Sequence, residues 1–192
     1  MIKITFLFAL LGLFSISQVF GRLLITNVHV DSNPDYVKSN VQLKKVNGRV
    51  LITGDGYVLQ DIESDVVVSG SIAVLNNGHY EPILRIEPLS FCKFLTGKRK
   101  SPLMKLVYKM ISKFGRMPQT CPIKKGHYFV NDFEVDEGFI PALAPAADYR
   151  VEIQAFVDEL GVQKQIHKIV SHASIIPDEE ETDVSSESQE AQ

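Results

Sequence analysis

Hydrophobic and polar positions alternate through most of this chain. In the segment 148–158, Tyr149, Val151, Ile153, Ala155 and Val157 fall on one side, and Asp148, Arg150, Glu152, Gln154 and Asp158 on the other. A period of two is that of a strand buried on one face. Leu24, Thr26, Val28 and Val30 alternate with Ile25, Asn27 and His29 in the same way. From Asp65 to Leu75 the pattern is longer, with Val66, Val68, Gly70, Ile72 and Val74 opposed to Val67, Ser69, Ser71 and Ala73.

Turn residues separate these runs. Asn47-Gly48 lies between Val41–Val46 and Val50–Ile52, and Asn76-Asn77-Gly78 precedes a run from Tyr80 to Phe94; both predict tight antiparallel hairpins. Asn33-Pro34-Asp35 and Gly54-Asp55-Gly56 predict further turns, and Gly161 predicts a reversal into a last strand from Val162 to about Ile176. Seven or so antiparallel strands at short spacing indicate a mainly β chain, an immunoglobulin-like two-sheet antiparallel β-sandwich.

One stretch departs from the alternation. Leu103, Leu106, Val107, Met110 and Phe114 form an apolar stripe at helical spacing, while Lys105, Lys109 and Lys113 recur every four residues on another face. Ser101 suits an N-cap, Pro102 the first helical position and Gly115 the closing end. One short amphipathic helix is therefore expected, inserted between the chain's two cysteines, Cys92 and Cys121.

The ends differ in composition from the middle. A positive start at Lys3, an apolar run from Ile4 to Phe14 and small residues near Gly21 read as a secretory signal peptide over residues 1–21. The alternative, a transmembrane anchor, asks for a longer run than Ser15, Ser17 and Gln18 allow. Residues 177–192 hold seven acidic residues, no basic one and no aromatic, the composition of a disordered tail. A single domain over residues 22–176 remains. In an oxidising compartment two cysteines predict a Cys92–Cys121 disulfide, the alternative being two buried thiols. The expected location is extracellular, and no Asn-x-Ser/Thr sequence is present for N-glycosylation.

The formal charge of −3 conceals a segregation. No acidic residue occurs between Glu87 and Asp132, whereas Lys93, Lys98, Arg99, Lys100, Lys105, Lys109, Lys113, Arg116, Lys124 and Lys125 are basic. A basic surface built on Lys98, Arg99, Lys100, Lys105, Lys109, Lys113 and Arg116 has three readings: a solvated face, a face for anionic membranes, or a site for an acidic partner or the acidic tail. A nucleic-acid partner is not expected, because no matching motif accompanies the charge. The five histidines fit no zinc spacing, and His167 and His172, five apart on a strand, point to opposite faces. No phosphate loop or nucleophile elbow occurs. No metal, no cofactor and no catalytic residue is predicted, so the chain is expected not to be an enzyme.

The motifs Tyr80-x-Pro82-x-Leu84, Phe91-Cys92-Lys93-Phe94-Leu95, Thr120-Cys121-Pro122 and Leu143-x-Pro145-x-x-Asp148-Tyr149-Arg150, in this order around one helix, resemble the large insect family of secreted proteins catalogued as domain of unknown function 1091. That family is similar to the ML lipid-recognition superfamily and has chemosensory relatives. This chain departs from it in having Val30 and Val41 where a second cysteine pair is usual, and Ala147 where Gly is common before Asp148. The resemblance implies an apolar cavity between two splayed sheets that takes lipid tails, with Val66, Val68, Ile72, Phe91, Tyr149, Val151 and Ile153 as candidate lining. An ordinary filled core would use the same residues. Two functions follow: a carrier or presenter of a lipid or hydrophobic semiochemical, or a non-carrier interaction protein whose basic face binds a membrane or another protein.

Overall fold

The computed structural model describes residues 21–47, 49–98, 101–135 and 145–177. The expected signal peptide (apart from Gly21), Arg99 and Lys100, residues 141–144 of the Pro- and Ala-rich stretch, and the acidic tail beyond Pro177 lie outside the described residues.

Among the described residues, nine strands and two helices follow in order: β1 (Gly21–Ser32), β2 (Val37–Val46), β3 (Arg49–Val58), β4 (Val66–Asn76), β5 (His79–Ser90), α1 (Phe91–Leu95), α2 (Pro102–Ile111), β6 (Gly115–Arg116), β7 (Gly126–Glu134), β8 (Ala147–Glu159) and β9 (Val162–Pro177). They form a five-stranded sheet, β1-β9-β8-β4-β5, and a four-stranded sheet, β2-β3-β7-β6. Every ladder is antiparallel. The architecture is the expected two-sheet β-sandwich with a helical excursion between the cysteines. Its last strand runs one residue further than expected, to Pro177.

The tight turns follow from residues that accept positive φ. Asn77 and Gly78 take φ of 48° and 81° between paired Asn76 and His79, the backbone of a two-residue hairpin matched to strand twist. Asn47 (φ 49°) serves the β2–β3 reversal, and Leu160 and Gly161 (55° and 84°) the β8–β9 reversal. Asp158 Oδ1 accepts the Gly161 N–H at 2.7 Å and fixes the last of these. Asn33-Pro34-Asp35 turns as expected, with Asp35 N donating to Asn33 Oδ1 at 3.0 Å.

Three local expectations are corrected. Gly54-Asp55-Gly56 makes no turn: it lies inside β3, paired with β2 and β7, and neither glycine takes a left-handed φ. The strand from Tyr80 stops at Ser90, whose Oγ accepts the Lys93 N–H at 3.0 Å and caps α1. Helix α2 starts as expected, with Ser101 Oγ accepting from Met104 N, but it ends at Ile111. Lys113 and Phe114 donate to Met110 O and Ile111 O, three residues back, in a tightening last turn. Asn131 N then donates to Phe114 O at 2.8 Å and draws the chain onto β7. Gly115 belongs to β6, where an added Cβ would stand 1.8 Å from Phe129 O, so glycine serves close backbone approach there and not helix closure.

Between the two sheets, buried side chains gather towards two ends of the sandwich. At one, Tyr36, Ile62, Val66, Ile123, Val157 and Ile166 form the core, with Val157 only 1% exposed. The Cys92–Cys121 disulfide lies beside it, with Cα atoms 5.7 Å apart. At the other end, Ile25, Ala173 and Tyr149 lie in one cross-strand row and are buried, as is Ile175. The rows between are only partly covered.

A candidate ligand cleft between the sheets

In an antiparallel ladder, directly paired residues share a face. Val28 pairs with Ser171, and Ser171 with Val151; Ile169 pairs with Ile153, and His167 with Ala155. These residues and their β4 partners form the middle of the five-stranded sheet's inner surface. Val41, Gly54 and Val130 face them in one row of the other sheet, and Ser39, Gly56 and Tyr128 in the next. The sheets approach each other where β1 runs beside β2 and β3.

The space between is a cleft of about 340 Å³, within the usual range of small-molecule sites. Its walls include Val28 and Ile169 on one side and Val41, Ile52, Val130 and Phe133 on the other. Ile111 at the end of α2, with Met117 and Pro118 beyond it, closes one rim. The helix is tied to that rim because Tyr108 Oη donates to Pro118 O at 2.5 Å; burial, opposed by the Ser112 hydroxyl, raises the Tyr108 pKa.

Two glycines account for much of the hollow. Gly54 and Gly56 stand two apart on β3 and so present the same face. A Cβ at Gly54 would meet nothing closer than Val41 Cγ2 at 3.6 Å, and one at Gly56 nothing closer than Tyr128 O at 3.7 Å. No backbone strain requires glycine at either position. What the glycines leave out is side-chain volume.

One wall is polar. Ser32 Oγ lies 2.5 Å from Ser39 Oγ, across the two sheets, and 3.0 Å from His167 Nδ1. Ser39 and His167 line the cleft. Burial pushes the His167 pKa below its usual 6.5, with the Asp31 carboxylate acting the other way, so the imidazole is neutral at neutral pH.

The sequence-predicted lining residues lie elsewhere on the same surface. Val66 is in the sealed core, with Val68 and Phe91 packed against it. Phe91 also meets Phe94 and Tyr108, ring centroids 6.1 Å away in each case. Tyr149 is buried at the far end, its hydroxyl donating to Pro145 O at 2.8 Å. Ile72 and Val151 are paired and half-buried, and Ile153 is 40% exposed beside Gly70. None of the seven lines the cleft. Alternation identified the inner face but not which strands of it stand opposite the second sheet. Glycines on β3 were the available signal for the cleft, and their turn chemistry concealed it.

The predicted basic residues Lys98, Lys105, Lys109, Lys113 and Arg116 are exposed, and the four lysines pair with no acidic group among the described residues. Arg116 lies 5.7 Å above the Tyr128 ring centroid. Lys124 is drawn away from this group by Asp61 and Glu63, at 2.8 and 3.7 Å. Leu106 and Phe114, expected in the apolar stripe, are 46% and 39% exposed. Beyond the cleft, Glu152 gathers Arg150 at 2.6 Å, Lys168 at 3.0 Å and Gln154 on the outer face of the five-stranded sheet. Burial works to raise the Glu152 pKa, and the hydrogen bonds from Lys168, Gln154 and Arg150 outweigh it, leaving it below the usual carboxylate value.

A family described as "Protein of unknown function (DUF1091)" matches residues 66–151 of this chain. The matched span runs from β4 through the disulfide-closed excursion to the start of β8, so it holds the α2 rim and the β7 wall of the cleft. It excludes β1, β2, β3 and β9. The chain matches no curated protein.

Proposed function

We propose that this chain is a secreted carrier or presenter of a lipid or other hydrophobic ligand, held between its two sheets. The observation that carries the reading is the cleft, an apolar space of about 340 Å³ in a sandwich packed more tightly at either end. Covering apolar surface there contributes roughly 25 cal/mol per Å², enough for micromolar binding of one acyl-sized chain after association costs. A disulfide suits the oxidising surroundings of an extracellular protein. No described helix is long and apolar enough to cross a membrane.

The rim supports a mode of delivery. Lys105, Lys109 and Lys113 are exposed on and just past α2 beside exposed Leu106 and Phe114, and Ile111 of the same helix lines the cleft. An amphipathic basic segment at the mouth of an apolar site suits an anionic membrane surface, where cargo is taken up or released.

The experiment is direct. Protein secreted from eukaryotic cells is purified, extracted into organic solvent and analysed by mass spectrometry, and the delipidated protein is titrated with a neutral naphthylamine fluorophore. Co-purified lipid and saturable, displaceable fluorescence are expected. Absence of both would return the chain to the non-carrier reading.

A further inference from the structure

Most of the cleft's surface is apolar; Asn40, Asp55 and Ser171 are among its lining, and one wall carries a hydrogen-bonded chain of defined chemistry. Ser39 Oγ, Ser32 Oγ and His167 Nδ1 form a continuous chain of hydrogen bonds at 2.5 and 3.0 Å, with Ser32 in the middle. Ser32 is the link, while Ser39 and His167 reach the cleft. Among the described residues His167 Nε2 has no hydrogen-bond partner, and no buried side-chain nitrogen or oxygen is left unpaired. Nε2 is therefore exposed, on a residue that lines the cleft.

Two proton arrangements run in one direction along the whole of this chain. With Nδ1 accepting, Ser32 donates to His167 and Ser39 donates to Ser32, so the cleft is offered a donor at Nε2–H and an acceptor at Ser39 Oγ. With Nδ1–H donating, both polarities reverse: Nε2 accepts and the Ser39 hydroxyl donates. In either arrangement the wall presents one donor and one acceptor. A ligand hydroxyl, which both donates and accepts, is matched by both.

The remaining lining argues against a charged head. No lysine or arginine is among the described lining residues, and the one acid there, Asp55, has its Oδ1 2.7 Å from His127 Nε2. A carboxylate or ammonium drawn into this apolar space would lose hydration without a counter-ion.

We infer that the ligand is a neutral amphiphile, an apolar chain or ring system carrying one hydroxyl, whose oxygen bonds to His167 and Ser39. This rests on the carrier reading, and the test separates the two. The fluorophore bound to wild-type protein is displaced by a ten-carbon series of decane, 1-decanol, methyl decanoate and decanoate. Decanol should compete about tenfold more strongly than decane, with the ester between them and the carboxylate weakest at pH 7.5. His167→Phe keeps a flat aromatic ring, one atom larger, but removes both nitrogens, and should bring decanol to the level of decane, each competition being read against the fluorophore affinity measured for that variant. Ser39→Ala should give the same loss of preference and serves if the first variant does not fold.

Fluorophore binding with equal competition by decane and decanol would overturn this inference and leave the carrier reading standing. So would an undiminished preference for decanol in the folded variants. Preference for decanoate would overturn it in favour of an anionic ligand. Wild-type protein that binds no fluorophore and no member of the series would remove both readings together.

Discussion

Ile62 and Ile123 exchange both of their backbone hydrogen bonds, Ile62 N to Ile123 O at 2.8 Å and Ile123 N to Ile62 O at 3.2 Å. The pairing lies two residues beyond Cys121, and both side chains are in the core cluster. The segment leading into β4 and the segment returning from the helical excursion are thus held at one place by a ladder, a disulfide and apolar packing. Replacing Cys92 and Cys121 by Ser should remove up to about 3.5 kcal/mol, the loop-closure entropy of a 29-residue separation. Ile62→Ala should cost about 2–5 kcal/mol through lost burial and a residual cavity. Denaturant titration checks both. A double-serine protein as stable as wild type would mean that the isoleucine ladder alone closes the excursion.

The cleft should respond to Gly54 and not to the residues that alternation singled out. Gly54→Leu places a side chain in the hollow and should lower affinity for a fluorescent apolar probe at least tenfold. Because a Cβ there meets only ordinary contacts, Gly54→Ala should leave the fold intact. Ile153→Trp, at a position outside the lining and already 40% exposed, should change probe affinity less than twofold. The reverse ranking, measured by fluorescence titration, would place the ligand over β8 and β4.

Changing Lys105, Lys109 and Lys113 together to Gln should weaken binding to anionic vesicles several-fold. Attraction to an anionic surface is worth about 1 kcal/mol per nearby cation and fades as salt screens it. All three side chains are exposed, so the melting temperature should move little. Vesicle sedimentation at two salt concentrations provides the check. Equal binding to neutral and anionic vesicles would reduce these lysines to a solvated face.

Acidification should weaken the fold through His167. Its folded-state pKa is pushed below 6.5 by burial, against the pull of Asp31. The unfolded chain therefore takes up this proton first, and stability is complete above about pH 6.5 and falls as pH drops from there towards the lower folded value. Glu152 acts in a lower window: its depressed pKa contributes stability above its unfolded value of about 4.5, lost as pH falls through the folded value. Denaturant unfolding of wild type and His167→Gln between pH 7.5 and 5 should show a smaller loss in the variant. Parallel curves would assign the acid sensitivity elsewhere.

Much of the fold was legible because local chemistry and tertiary structure agreed. Asn77-Gly78 supplies the positive φ values its hairpin needs, and Ser101-Pro102 starts a helix where the cap geometry appears. The sequence misled where one residue type serves two physical ends. Gly54 and Gly56 look like a turn, yet β2 and β7 hold them extended on both sides, and their value is the volume they omit. Gly115 looks like a helix stop, but Phe129 O leaves no room for a Cβ. Leu106 and Phe114 fit an apolar stripe by spacing, while the helix they belong to or follow rests on the cleft rim and leaves both partly in solvent. The polar wall was not legible at all, since Ser32, Ser39 and His167 come from three strands and meet only when the sheets close.

The first described residue, Gly21, pairs with the last, Pro177, across the β1–β9 ladder. The described part of the chain thus begins and ends at one corner, and its backbone is close to a closed ring. Joining the two ends by a short linker and reopening the chain at the Asn77-Gly78 turn would yield a circular permutant that keeps every ladder but the β4–β5 hairpin link. A tether attached at Gly21 or at Pro177 would leave from this same corner.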